Sequence, residues 1–449
     1  MMILHNATIV TAEKEAVGTL VIEDGTITDV LFSDSEDYVF LTARLLKENP
    51  DAEVIELDGK WLMAGGIDAH VHFRDPGLTH KADIETESRA AAAGGVTTVF
   101  DMPNTNPATV SPETLKAKIE SAKGRSLINI GFHIGATNRN ARMIADLVKN
   151  GNDEVSPDDI AGVKVFMGSS TGNMLVDESE TLDTLFSIRE KPVLVHCEDE
   201  AVIREGLQRA IGTYGDDIPF EEHERIRSRK ACIKSSIKAL EKAMSNNTRL
   251  VLCHISTKEE VEMVRAAKLN NPSIVAETSC NYLWFCNDDY GRLGSMVKCN
   301  PSIKTADDRR ALREALANGD IDTIGSDHAP HLLSEKAEKY CKAPSGLPSI
   351  QQSLPVLLTI ADQEDIPLTR IASVFSEKAS DVYGLRRGKI RKGYAADIVI
   401  FDKNKEFTVT DEDQYSKCGW SPYKGETLKG RVETVIVNGN IVIKDGRIN

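Results

Sequence analysis

No stretch of the 449-residue chain approaches the ~20 consecutive apolar residues that a bilayer span requires. Met1 to Val10 carries no basic region leading into a long apolar run, so nothing reads as an export signal. The chain is therefore expected to be soluble and cytoplasmic, with no membrane partner. It also lacks cationic excess: 54 Lys+Arg against 69 Asp+Glu leave a formal net charge of −15. That balance argues against sequence-independent binding to phosphate backbones, so no nucleic-acid partner is expected. Cysteine is sparse, with eight residues and no CxxC pair. In a chain of this length they read as reduced, buried thiols rather than a disulfide framework or a thiol site. No glycine-rich GxGxxG follows the first strand of the central region, which weakens a doubly wound open sheet.

What is present divides into two kinds of pattern. Ala7–Val30 alternates apolar and polar residues around a turn at Glu23-Asp24-Gly25, and Ala396–Asp402 and Val432–Gly446 do the same, the latter around Asn438-Gly439. Neither end can bury its own apolar face, so residues 1–57 and 388–449 are expected to pair into one composite β-sandwich. A charged insertion over 31–52 reads as a surface helix or loop. Residues 58–387 alternate short β-branched runs with helical patterns. Eight strands are expected at Met63–Phe73, Thr97–Met102, Ile128–Ile134, Gly162–Met167, Pro192–Cys197, Arg249–Ile255, Ser273–Thr278 and Thr323–Ser326. Helical patterns such as His80–Ala93, Pro112–Lys123, Lys258–Leu269 and Ala306–Ala317 intervene. Eight βα units in this length predict an α/β fold, a (β/α)8 TIM-type barrel. Runs such as VLVHC and LVLCH are apolar almost throughout, as parallel strands buried on both faces should be.

The histidines follow the strands. His70, His72, His196 and His254 fall at C-terminal ends of expected strands, and Asp327 lies just past the eighth. All parallel strand ends open on one face of a barrel, so these residues should converge. The i, i+2 spacing of His70 and His72 puts two imidazoles on one side of a strand, half of a metal site. Lys164 stands among Val and Phe in GVKVFMG, where a charge is costly unless paired. It is either half of a buried ion pair, a stem reaching to the barrel mouth, or a desolvated amine able to capture CO2 as a carbamate. Asp327 can ligate a metal and move protons, or simply cap the next helix. Arg74 offers a planar fork for a carboxylate, the alternative being an ion pair with Asp75 or Glu85. Asn104, Asn300 and His331 lie on strand-end loops, and Ser345-Gly346 lies in a long loop, 332–348, that could cover the site. Cys197 and Cys253 each adjoin a candidate histidine. Alternation turns both toward the helices. His328 reads as structural, and His5, His80, His133 and His223 read as core or surface residues.

At these residues the chain resembles the amidohydrolase superfamily and, within it, the dihydroorotases. GIDAHVHFRDPG (66–77) resembles the first family signature and GSDHAPHLLSEK (325–336) the second, including the lysine five residues past His331. The resemblance implies metal ligation by His70, His72, His196, His254 and Asp327, with two Zn2+ per subunit bridged by a CO2-derived carbamate on Lys164. One bacterial branch carries an Asp in place of that lysine; the lysine of KVFMGSS resembles the carbamate-using members. It further implies a carboxylate site at Arg74, Asn104 and His331, with Asn300 and Ser345-Gly346 near the ring. The implied reaction is the reversible cyclisation of N-carbamoyl-L-aspartate to L-dihydroorotate and water, in pyrimidine synthesis. A metal-activated bridging hydroxide would be the nucleophile and Asp327 the general acid/base. A small-molecule substrate is the expected partner, and a homodimer is compatible with the family. Two rivals stand beside this reading. A hydantoinase, dihydropyrimidinase or allantoinase would use the same metals on an uncharged ring, and a catalytically dead scaffold would normally have lost several ligand positions.

Overall fold

A computed structural model describes residues 1–168 and 174–449. The central strands are β1 (Gly66–Val71), β2 (Val96–Asp101), β3 (Asn129–Gly135), β4 (Gly162–Phe166), β5 (Val193–His196), β6 (Leu250–Leu252), β7 (Val275–Thr278) and β8 (Thr323–Ile324). Among the described residues they form one eight-stranded parallel sheet in sequence order. The ring closes through a parallel bridge between Val71 and His328, where the His72 N–H donates to the His328 carbonyl at 2.8 Å. Val193, Leu194 and Val195 are fully buried, as a strand covered on both faces must be. The interior is filled by apolar clusters including Leu194, Val251 and Val275, and Ile67 and Phe100. A packed interior leaves the strand ends as the place for chemistry.

Local signals explain the helix starts. Asp83 caps the helix Ile84–Ala93 by accepting from the Thr86 N–H at 2.9 Å, so the helix begins four residues later than the pattern from His80 predicts. Thr257 and Thr305 cap Lys258–Lys268 and Ala306–Asn318 in the same way. The charged insertion contains the surface helix Tyr38–Glu48.

The two chain ends meet in a mixed sheet of nine strands among the described residues. Its seam is Trp61–Ala64, which runs parallel to Met2–Val10 and antiparallel to Ile398–Thr408. The single strand expected over Met63–Phe73 is thus two strands belonging to different sheets. Gly65 sits at the break, where a Cβ would lie 2.2 Å from the Thr97 side chain. The sheet has its own core of Leu4, Leu20, Leu62, Ile398, Ile436 and neighbours, drawn from both termini. Asp24-Gly25 and Asn438-Gly439 take positive φ at tight hairpins. Among the described residues no helix is long and apolar enough to cross a membrane.

Candidate active site at the barrel mouth

The six residues that the resemblance makes metal ligands come together. His70, His72, Lys164, His196, His254 and Asp327 line one pocket, with Arg74, Phe166, Asn300, Ala329, Ser345 and Gly346. His70 Nε2 and His72 Nε2 lie 3.5 and 3.1 Å from Asp327 Oδ1, and His196 Nδ1 lies 2.9 Å from His254 Nε2. The His70 ring centroid is 5.2 Å from that of His254, so the two pairs form one cluster.

Three of the four imidazoles are held from behind. His70 Nδ1 meets Glu277 Oε1 at 2.7 Å, His72 Nδ1 meets Asn104 Oδ1 at 2.8 Å, and His196 Nε2 meets Glu198 Oε2 at 2.9 Å. In each case the other ring nitrogen faces the common centre. This arrangement of an outer acceptor behind an inward lone pair characterises metal-binding histidines. Burial disfavours the charged forms of His70, His196 and His254 and lowers their pKa values, leaving the neutral rings that a cation needs. The buried Nδ1 of His254 has no hydrogen-bond partner among the described residues. Burial alone would raise the Asp327 carboxyl, but the His72 contact and the surrounding imidazoles outweigh it and hold the group below the ordinary carboxylate range. Imidazole nitrogens and a carboxylate oxygen within reach of one another fit divalent cations, and His70, His72 and Asp327 form such a group geometrically.

Lys164 is fully buried. Its Nζ lies 3.4 Å from Cys253 Sγ and 5.2 Å from the centroid of Phe166, and among the described residues no carboxylate stands within ion-pair distance. The ion-pair alternative therefore finds no partner there. Cys253 corrects an expectation: it faces the barrel interior instead of the helices. The reason is local, since His254 takes φ +38° and breaks the alternation on which that expectation relied. Asp327 does not cap a helix either; the next one, Leu333–Lys336, starts after Leu332.

The proposed carboxylate site is assembled more loosely. Arg74 is 3% exposed, and its Nε donates to the Pro330 carbonyl at 3.2 Å while Nη2 approaches His331 Nε2 at 3.0 Å. Asp75 and Glu85, its expected alternatives, both face Arg125 instead. Burial without a carboxylate partner among the described residues pushes Arg74 down to about 10. The amide oxygen of Asn104 is engaged by His72, which gives Asn104 a part in orienting that ring. The 332–348 segment is well tied: Lys336 donates to the Pro344 and Gly346 carbonyls, each at 3.0 Å. Gly346 has φ +143°, and a Cβ there would lie 2.5 Å from the Ala329 carbonyl oxygen. His328 is structural, bound to Glu87 at 2.7 Å, and His133 and His223 are buried on backbone carbonyls.

Sequence reasoning missed the outer partners Glu277 and Glu198, Arg227, which pairs with Glu198 at 2.5 Å, and Lys81, whose Nζ lies 3.1 Å from His331 Nδ1. Glu198 had a local signal, standing two residues after His196. Glu277 had only its place at a strand end.

A barrel whose mouth gathers neutral imidazoles, an aspartate and a buried lysine defines a class of hydrolase scaffold, and the comparisons agree. The profile of the amidohydrolase family matches residues 61–442. The chain is 32% identical over 412 residues to a dihydroorotase of Methanosarcina mazei, covering 88% of each. It is 31% identical over 407 residues to an allantoinase of Desulfitobacterium hafniense, again covering 88% of each. Its fold is similar to that of an L-hydantoinase (dihydropyrimidinase) from Arthrobacter aurescens, with a TM-score of 0.90 and 26% identity over 100% of this chain and 97% of that one. The chain belongs to the amidohydrolase family.

Proposed function

We propose that the protein is a cyclic amide hydrolase and, specifically, a dihydroorotase that interconverts N-carbamoyl-L-aspartate and L-dihydroorotate. The observation that carries the narrower reading is Arg74: a buried guanidinium at the pocket with no carboxylate partner among the described residues. Such a group fits a substrate that brings its own carboxylate. An uncharged ring would leave the desolvated charge unanswered. Relatives named both dihydroorotase and allantoinase make this distinction the one to test.

His70, His72, His196, His254 and Asp327 would hold two zinc ions, with Lys164 as a further ligand once CO2 has carboxylated it. When bound, zinc supplies Lewis acidity toward the ring carbonyl and a water acidic enough to attack near neutral pH. Asp327 would take the attacking water's proton and return it to the ring nitrogen as the amide bond breaks; in the synthetic direction it would remove a proton from the ureido nitrogen. Arg74 holds the carboxylate and so fixes which carbonyl faces the nucleophile. Asn300 and Ser345-Gly346 would lie near the ring, with Asn104 and His331 on the carboxylate side, His331 beside Arg74.

The test is turnover of L-dihydroorotate by the zinc-loaded protein beside hydantoin, dihydrouracil and allantoin. A strong preference for dihydroorotate supports the reading. Preference for an uncharged ring transfers the protein to the hydantoinase or allantoinase type and removes the role given to Arg74. Turnover of none of them favours a scaffold role.

A further inference from the structure

His331 is enclosed by two cations. The residue is 2% exposed, Lys81 Nζ stands 3.1 Å from Nδ1, and Arg74 Nη2 stands 3.0 Å from Nε2. Nε2 also lies 3.1 Å from the Ser345 carbonyl oxygen. Burial and both cations keep the imidazole neutral. A neutral imidazole has one acceptor nitrogen, whereas an ammonium and a guanidinium have only donors. The ring therefore cannot satisfy Lys81 and Arg74 together.

The two tautomers are not equivalent. With the proton on Nε2, Nδ1 accepts from Lys81 and Nε2–H donates to Ser345, so two bonds form and Arg74 Nη2, 3.0 Å away, is left without an acceptor on the ring. With the proton on Nδ1, Nε2 accepts from Arg74, but Nδ1–H faces the Lys81 ammonium and the Ser345 carbonyl loses its donor. The nearest carboxylate oxygen to Nδ1, on Glu335, is 3.8 Å away, too far to rescue that form. The Trp420 indole, donating to the His331 carbonyl at 2.7 Å, holds the backbone in place for either tautomer.

We propose that Lys81 is a specificity-determining positioning residue: by occupying Nδ1 of His331 it fixes the Nε2–H tautomer, whose proton goes to the Ser345 carbonyl, so that Arg74 Nη2 is left free to donate to a substrate carboxylate. Without Lys81 the ring would accept from Arg74, and the guanidinium would be spent inside the protein. The inference rests on the dihydroorotase reading for its substrate, but the tautomer is a property of the protein alone.

The experiment compares the zinc-loaded protein with Lys81→Met, Lys81→Arg and Glu335→Gln. Histidine-selective 15N NMR, with the His331 signal assigned from a His331→Gln spectrum, reads the tautomer. Expected are Nε2–H in the wild type and Lys81→Arg and Nδ1–H in Lys81→Met. KM for dihydroorotate should rise about tenfold or more in Lys81→Met, as the loss of a hydrogen bond to a charged group implies, with kcat changed far less. Lys81→Arg should restore most of the affinity. Glu335→Gln should leave KM within about twofold, because it removes the 2.7 Å Lys81–Glu335 pair but not the bond to His331. A wild-type Nδ1–H signal, or an unchanged tautomer in Lys81→Met, overturns the proposal. If dihydroorotate is not turned over at all, the tautomer still decides the role of Lys81, and only the substrate assignment falls.

Discussion

Replacing Arg74 by Met separates function from stability in opposite directions. The guanidinium is buried beside a backbone carbonyl and a neutral imidazole. Burial pushes it down to about 10 from an ordinary 12.5, which at about 1.4 kcal/mol per tenfold change in proton affinity is a desolvation cost on the order of 3 kcal/mol. Methionine fills similar space without that cost, while the lost contacts return part of it. The zinc-loaded variant should therefore be more stable by about 1–2 kcal/mol, even though a residue has been removed from a site. At about 2 cal/mol/K of unfolding entropy per residue, a chain of this length moves its Tm by only about 1 °C per kcal/mol, so denaturant titration is the better measure of stability. Activity should move the other way. Two charge-assisted hydrogen bonds to a substrate carboxylate, at about 1.5–3 kcal/mol each, correspond to a fall in kcat/KM for dihydroorotate of about 10²- to 10⁴-fold. Zinc content should stay normal. A variant that loses several kcal/mol of stability, or its zinc, would show Arg74 to be a structural cation. One that keeps kcat/KM within tenfold would remove it from substrate recognition.

Two further outcomes follow from the shell around the site. Glu277→Gln keeps an acceptor near His70 Nδ1 but removes the carboxyl group 2.7 Å away, and zinc affinity measured by chelator competition should fall about 10- to 100-fold; unchanged affinity would mean that Glu277 does not tune His70. Lys336 is pushed by burial down to about 7 from 10.5, so between those values the unfolded chain holds a proton that the folded protein has released. Unfolding there takes up a proton and becomes harder as pH rises. The stability difference between wild type and Lys336→Met should accordingly grow from pH 7 toward pH 10, by at most about 1.4 kcal/mol per pH unit, and a flat difference would refute the assignment.

The barrel and the convergence of the candidate ligands were legible because topology does the work. Once eight βα units are recognised, His70, His196, His254 and Asp327 must share one mouth however far apart they lie in the chain. The partners behind those rings were not legible, because they depend on which strand neighbours which and in what register. Glu277 reaches His70 from β7, two strands away around the ring, and nothing in VAET marks it as that ring's acceptor. Asn104 illustrates a different limit. Its loop position was readable, but whether its amide serves the substrate or an imidazole turns on about one rotamer. Trp61–Ala64 was hidden for a third reason: an apolar run carries no mark of the sheet it joins, and only the close approach of Gly65 to Thr97 shows where the chain crosses over.

The clearest failure of pattern reasoning is also informative about the site. Alternation along β6 sends Val251 inward and Leu252 outward, and would then send His254 away from any interior group at Cys253. Yet His254 reaches His196, and Cys253 reaches Lys164. Both can face the interior because His254 takes φ +38°, in the left-handed region that a side chain with a Cβ rarely enters. Arg74 at +63° and Asp327 at +49° do the same at the ends of β1 and β8. Such conformations cost on the order of 1–3 kcal/mol each and persist only where surrounding contacts over-determine them. Three of them fall among the residues that line this one pocket, each past the end of its regular strand. There the strict alternation of the strand is broken, and consecutive side chains can be turned into the same small volume. A strictly pleated strand offers one inward residue in two. The strained turns raise that density at the mouth, which is how a barrel of ordinary strands brings this many polar groups within contact of one another.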